Sequence, residues 1–394
     1  MWYRQIVFLL LFVILGMNQS PGVCYVISFL ILLLAVFLIF CGITKVKYEK
    51  KDVIPFFFLC VWIYGIVIGC LKNNRTSYIV ANFAGMFCYS IYYVLILVNF
   101  SHRKVTKLLQ IASISTSIIC VFYFICDSIG IDSNIFETVI GGVNRGSSTG
   151  QLRIYFTGLT VAYSFWTVSF FYIFLPKQEY MLYYLETSRT FLYFIFSLLT
   201  FALYFATASK GFMLGGICLM LALLCLLYGN KLKTGKVSVT FFKMLVIVFI
   251  LIIIIIVSGY FNIITTLFDS EDVSNEVRYL QLMYIVDDMD WLGNGLGAVI
   301  PNYSRDENAE YGFELSYFNI VHKFGIFSIV LFINWCYVFF IAFRNIYKRE
   351  NLQNSLYVLG SMGYLFPSIG NPLVMHPTCV VLNCLGLYLL RKRQ

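Results

Sequence analysis

From Val23 to Thr44 the chain runs for 22 residues without a charged side chain, and runs of this kind recur along its whole length. A helix needs roughly 20 apolar residues to cross a hydrocarbon core about 30 Å thick, and only helices or closed barrels satisfy their backbone groups there. The sequence predicts twelve such spans: Ile6 to Met17, Val23 to Thr44, Val53 to Leu71, Tyr78 to Phe100, Leu108 to Ile131, Ile154 to Leu175, Thr190 to Thr207, Gly211 to Gly229, Met244 to Asn262, Tyr317 to Phe343, Leu352 to Ile369 and Val374 to Leu390. Of the 394 residues, 60% are hydrophobic and only 12% charged, about half the charged fraction of a soluble chain. The expected fold is an all-α polytopic membrane protein, one integral domain over 1–394. Its longest stretch unsuited to lipid, about Leu267 to Leu315, is too short for an independent kinase, ATPase or dinucleotide-binding domain. Any chemistry must use spans and loops.

Arg4 ahead of a short apolar run resembles a signal peptide, but Asn18-Gln19-Ser20-Pro21-Gly22 has no small-residue cleavage pattern and reads as a tight turn between two helices. Orientation follows from the basic residues, which favour cytoplasmic loops. With both termini cytoplasmic, 20 of the 28 basic residues fall inside and 14 of the 19 acidic residues outside. The net charge of +9 is then a topology signal and requires no nucleic acid. The 12 cysteines lie in or beside apolar runs without a CxxC pair, and the three histidines are scattered, so neither a disulfide framework nor a metal site is expected.

Two expected external loops are long enough to be functional. One, Asp127 to Arg153, carries Gly141-Gly142-Val143-Asn144-Arg145-Gly146-Ser147-Ser148-Thr149-Gly150. The other, 263–316 between spans nine and ten, places Val277, Leu280, Met283, Tyr284 and Trp291 at helical spacing, which predicts an amphipathic helix on the outer membrane surface. Eight basic residues, Lys72, Arg75, Arg145, Arg153, Lys210, Arg278, Arg305 and Lys323, stand on the side that disfavours them. Each is either a headgroup anchor, a partner of the surplus acids, or a ligand for an anion.

Three stretches carry a resemblance to the O-antigen polymerase and ligase families of bacterial envelope glycan assembly. Ser209-Lys210-Gly211 is similar to their Ser-Arg-Gly at the start of a span. Arg278 followed by Gly293-Asn294-Gly295-Leu296-Gly297 is similar to the Arg helix and Gly-x-Gly-x-Gly turn of their large external loop. Glu314-Leu315-Ser316-Tyr317-Phe318-Asn319-Ile320-Val321-His322-Lys323-Phe324-Gly325-Ile326 resembles their loop-to-span motif. Lys210 replaces the usual Arg and loses its bidentate fork. Glu314 stands where ligases have His, which favours the polymerase.

The resemblance implies a glycosyltransferase of the bacterial inner membrane, joining undecaprenyl-diphosphate-linked oligosaccharide repeats on the periplasmic face without cofactor or metal, with membrane lipid and a chain-length regulator protein as partners. Glu314 is then the candidate base and Arg278 the catalytic cation. Lys210, Arg145 and Arg153 are candidates for the diphosphate, and His322 and Tyr317 for the acceptor sugar. Interfacial snorkelling is expected of Lys323. Ordinary roles compete: Glu314 as a helix-start carboxylate, Arg278 as the partner of Glu271, Asp272 or Glu276, and Arg145 and Arg153 as loop charges. Trp291, Tyr303, Tyr311 and Tyr317 are candidates for stacking on sugar.

Two look-alikes are set aside. The glycine turn follows no strand and is not a nucleotide loop, and Asp287, Asp288 and Asp290 read as solvated acids on a lid helix. A transporter for lipid-linked repeats is the alternative class, with the break Pro367-Ser368-Ile369-Gly370-Asn371-Pro372 as its best feature. A ligase is the alternative acceptor chemistry.

Overall fold

The computed structural model describes residues 2–17, 20–42, 49–131, 143–148, 151–174, 190–206, 210–233, 273–304 and 310–391. Fourteen α-helices are defined among them: α1 Trp2–Gly16, α2 Pro21–Phe40, α3 Val53–Leu71, α4 Thr76–Phe87, α5 Ser90–Leu97, α6 His102–Ser128, α7 Leu159–Phe174, α8 Thr190–Ala206, α9 Lys210–Lys233, α10 Val273–Asp287, α11 Ser316–Phe324, α12 Ser328–Tyr347, α13 Leu352–Ser361 and α14 Pro377–Leu389. Between α6 and α7 an antiparallel hairpin pairs β1 Val143–Ser148 with β2 Gln151–Phe156. The helical expectation therefore needs one addition. Within the polar Gly/Ser-rich loop, residues 143–148 and 151–156 pair because two antiparallel strands satisfy each other's backbone groups.

Among the described residues, six helical segments are long and apolar enough to cross a membrane: Pro21–Phe40, Val53–Leu71, Thr76–Leu97, His102–Cys126, Gly211–Tyr228 and Ser316–Tyr347. The chain is accordingly a multi-pass membrane protein. Trp2–Gly16, Leu159–Ile173, Leu192–Tyr204 and Pro377–Leu389 are apolar but shorter. The eleventh expected span comprises α13, only 10 residues, and two 3-10 turns. The ninth, Met244 to Asn262, lies outside the described residues.

Burial explains why short helices serve. Every residue from Thr157 to Tyr172 is buried, as is every residue of α14, so α7 and α14 form the centre of the bundle. A helix enclosed by protein need not match the lipid thickness, because neighbours meet the polar groups at its ends. The Ser113 hydroxyl of α6 donates to Val161 O at 2.8 Å, and the Thr167 hydroxyl to Leu356 O at 2.9 Å, tying α7 to α6 and α13. The periphery has the opposite character. Helix α2 leaves Val26, Phe29, Leu33, Phe37 and Phe40 exposed along its length, a surface suited to lipid. Pro21 and Pro377 open α2 and α14 at the position where the missing amide costs nothing.

Span ten departs from the expected single rod. A continuous helix over Ser316–Tyr347 would be about 48 Å long at 1.5 Å per residue, well beyond the hydrocarbon core. The chain instead breaks after Phe324 in a 3-10 turn opened by Gly325 at φ +52°, where a Cβ would lie 2.1 Å from Trp291 O. The break leaves α12 as a 20-residue crossing and lets α11 contribute to the loop structure at its end.

Candidate functional site

The glycine turn after α10 is fastened to the ends of three helices. Gly293, Gly295 and Gly297 all have φ between +75° and +80°. A Cβ on Gly293 would lie 2.5 Å from Lys323 O, one on Gly295 would lie 2.2 Å from Gly69 N, and one on Gly297 would lie 2.7 Å from Ile79 N. These glycines are required by handedness and by close approach together. The backbone amides of residues 293 to 298 donate in turn to Asp290 O, His322 O, Lys323 O, Gly65 O, Asn82 Oδ1 and Gly295 O, at 2.8 to 3.4 Å. With six successive amides engaged inside the protein, the turn has none to offer a phosphate, so its likeness to a nucleotide loop goes no further than composition.

Side chains complete this brace. Asn74 Nδ2 donates to Asn294 O and Leu296 O at 2.8 and 2.9 Å, and the Tyr64 hydroxyl donates to Leu292 O. Lys72 Nζ lies 2.6 Å from Asp290 Oδ2 and 2.7 Å from Asn294 Oδ1. The Lys72 ammonium and the Leu292 amide hold the Asp290 carboxyl below its ordinary value. His322, fully buried, places Nε2 2.8 Å from Asp288 Oδ2. Two of the three acids expected to be solvated, Asp288 and Asp290, therefore anchor the loop, because its turn carries them back onto α3 and α11, whereas Asp287 is exposed.

Arg278, on α10, lies with its Nε 3.3 Å from Glu314 Oε2, and the two side chains are 19% and 23% exposed. Three contacts set this meeting. Arg278 donates from one terminal nitrogen to Asn275 Oδ1 at 3.5 Å and from the other to Gly370 O at 3.4 Å. One turn along α10, the buried Gln281 accepts from the Leu315 amide at 3.1 Å and so fixes the residue following Glu314. Ser316 Oγ donates to Asn371 O at 2.6 Å, which joins the start of α11 to the segment that carries Gly370. A Cβ on Gly370 would lie 3.1 Å from Arg278 Nε, so a larger residue there would displace the guanidinium slightly.

The same 367–371 segment reaches α9. A Cβ on Gly211 would lie 3.0 Å from both Pro367 Cα and Asn371 Nδ2, so the helix start at Lys210 packs against the stretch that receives Arg278. Arg278, Glu314 and the opening of α9, far apart in sequence, thus share one neighbourhood. Arg145 and Arg153 occupy adjacent rungs of the hairpin, Arg145 opposite Ile154 and Arg153 opposite Gly146.

The other expected contacts differ. Lys323 does not snorkel: it is fully buried, with Nζ donating to Tyr311 O at 3.0 Å and Ala298 O at 3.4 Å over the Phe313 ring. Carbonyls that satisfy an ammonium make burial tolerable without lipid headgroups. His322 braces the loop through Asp288. Tyr317 donates its hydroxyl to Leu365 O and packs against Phe332 and Trp335. Tyr303 stacks on Tyr284, and Tyr311 leans on Tyr78. Trp291 is the widely exposed member of the aromatic set, at 83%. Among the described residues no cluster of His, Cys, Asp or Glu could hold a metal ion.

Gln281 and the 370–371 backbone were not singled out by sequence as parts of this site. Gln281 lies three residues after Arg278, on the same helical face, and that spacing is its only signal. No family model and no curated protein matches the chain, so the site is argued on its own chemistry.

Proposed function

We propose that the chain is a polysaccharide polymerase of the bacterial inner membrane, joining undecaprenyl-diphosphate-linked oligosaccharide repeats at its periplasmic face. The observation carrying this reading is the half-buried pairing of Arg278 with Glu314 beside the start of α9, which supplies a carboxylate and fixed positive charge together.

The donor already carries a good leaving group, so the protein has to supply a base and stabilise the departing charge. At rest Arg278 and Glu314 neutralise each other. A diphosphate entering beside them competes for the guanidinium and draws it from the carboxylate. Glu314 then accepts the proton of the acceptor hydroxyl as that oxygen bonds to the anomeric carbon. The bond from that carbon to the diphosphate oxygen breaks, and the electron pair leaves with undecaprenyl diphosphate, held by Arg278 and Lys210. Arg145 and Arg153 on the hairpin are further candidates for the diphosphate. One displacement with one base inverts the anomeric centre.

The test uses the full chain in detergent with purified lipid-linked repeat, and no nucleotide or divalent metal. A ladder of longer lipid-linked products, lost with Glu314→Gln, is the expected result. Binding without product would overturn the reading in favour of transport. Product formed only on a lipid A core acceptor would make it a ligase.

A further inference from the structure

A polar cavity of about 620 Å³ lies at the opposite end of the bundle from Arg278. It is built where α1 and α6 begin, α5 and α14 end, and α13 makes its first turn. Arg4, Arg103 and Arg391 line it with His102, Asn354 and Tyr388, and no carboxylate is among its described lining residues. The charges are held in different ways. Arg391 is nearly buried, with one terminal nitrogen 2.6 Å from Asp52 Oδ2 and Nε 3.9 Å from Glu49 Oε1, so its charge is largely answered from behind. Arg4 is half-buried, its Nε donating to Val98 O at 2.8 Å, and the Arg103 side chain is exposed.

Neutral donors converge on the same space. Asn354 Nδ2 lies 3.1 Å from His102 Nδ1, which sets both polar side chains on the cavity wall. The positive dipole ends of α6 and α13 are offset by the negative ends of α5 and α14, so the arginines supply the positive charge here. The volume suits a small ligand, and the lining provides cations and N–H donors in a recess at the end of membrane helices. Basic recesses of this kind suit phosphate-bearing headgroups.

We propose that this cavity binds a phosphate group of net negative charge, the chemistry of an anionic phospholipid headgroup or of a soluble phosphate ester. The site is separate from the Arg278–Glu314 pair and does not depend on the reaction assigned there.

The test measures binding to the full chain in neutral detergent, with phosphatidylglycerol, phosphatidylcholine and inorganic phosphate as three probes. Each arginine near the surface contributes about a fivefold preference for an anion. Phosphatidylglycerol is therefore expected to bind more than tenfold tighter than phosphatidylcholine, with the preference falling about fivefold in Arg103→Gln and nearly vanishing when Arg4→Gln is added. Arg103 is exposed, so its substitution leaves the fold intact and isolates the charge. Saturable binding of inorganic phosphate with the same dependence on Arg103, and no lipid preference, would assign the site to a soluble phosphate ester. Equal binding of both lipids with no phosphate binding, or a preference that survives the double substitution, would overturn the proposal.

Discussion

Two arginine–carboxylate pairs stand at opposite ends of the bundle and differ in nearly every physical respect. Arg391 and Asp52 are 2.6 Å apart, with both side chains under 5% exposed, and the Tyr92 hydroxyl donates a further bond to Asp52. Arg278 and Glu314 are 3.3 Å apart and about one-fifth exposed. The first pair ties the end of α14 to the start of α3 and to α5. The second joins a loop helix to the approach of α11 and leaves about a fifth of each side chain exposed. A closed pair holds a fold, whereas an open one retains charge that can be redirected. The same residue types therefore serve different ends according to what surrounds them.

The sharpest way to break this comparison is to remove charge from each pair in turn. Glu314→Gln keeps the shape and is expected to reduce elongation by about 10²- to 10⁴-fold, with the unfolding midpoint in detergent close to that of the parent. Wild-type chain length in cells carrying only this variant would remove Glu314 as the base. Asp52→Ala leaves the buried Arg391 with only the longer contact to Glu49, and is expected to cost about 3 kcal/mol of stability, read as a lowered midpoint and poor yield. Arg278→Ala is expected to slow turnover by about 10²- to 10³-fold. Rescue by Arg278→Lys should be partial, because an ammonium lacks the planar fork.

Smaller effects sharpen the contrast between the open pair and the locked turn beside it. Gly295→Ala forces a methyl group against the Gly69 backbone and demands a left-handed alanine. It is expected to destabilise by about 1–3 kcal/mol, and its activity loss should follow the amount of folded protein. Lys72→Ala removes a solvent-facing ion pair and should cost about 1 kcal/mol or less. That pair also sets a pH dependence. The Asp290 carboxyl is held below its ordinary value of 3.8, so its contribution is present above that value and is lost as pH falls through the lower folded value. Hydrogen exchange at the Leu292 amide, which donates to Asp290, should accelerate over that acid range relative to the rest of the loop.

Much of the fold was legible because lipid imposes a one-dimensional rule. Val53–Leu71 is a helix with the bounds the apolar run predicts, and a helix falls where Val277, Leu280, Met283 and Tyr284 repeat at helical spacing, but it ends at Asp287 and leaves Trp291 in the turn beyond it. Short helices were harder to interpret, since α7 and α14 are apolar on every side but lie inside the bundle. Hydropathy cannot distinguish burial in protein from burial in lipid. Within the site, Arg278 was visible as a basic residue on the side that disfavours it and Glu314 through the family resemblance, whereas their meeting was not. The Pro367–Pro372 break read as a transport feature, yet its Gly370 carbonyl receives the arginine. Asp288 read as a solvated acid, yet it holds a buried histidine.

The sequence by itself determined that this chain lives in a membrane and where its long apolar helices such as Val53–Leu71 run, because hydrocarbon tolerates so few charges that a long apolar run declares itself. It also marked Lys323 as an exception, but expected it in the headgroups. Only the tertiary structure decided that this lysine is buried under carbonyls, that three glycines fasten a loop to the ends of α3, α4 and α11, and that one ion pair is closed while the other is open. Those outcomes depend on which backbone atoms from distant segments arrive at one place, and on whether the space left there admits water or a ligand.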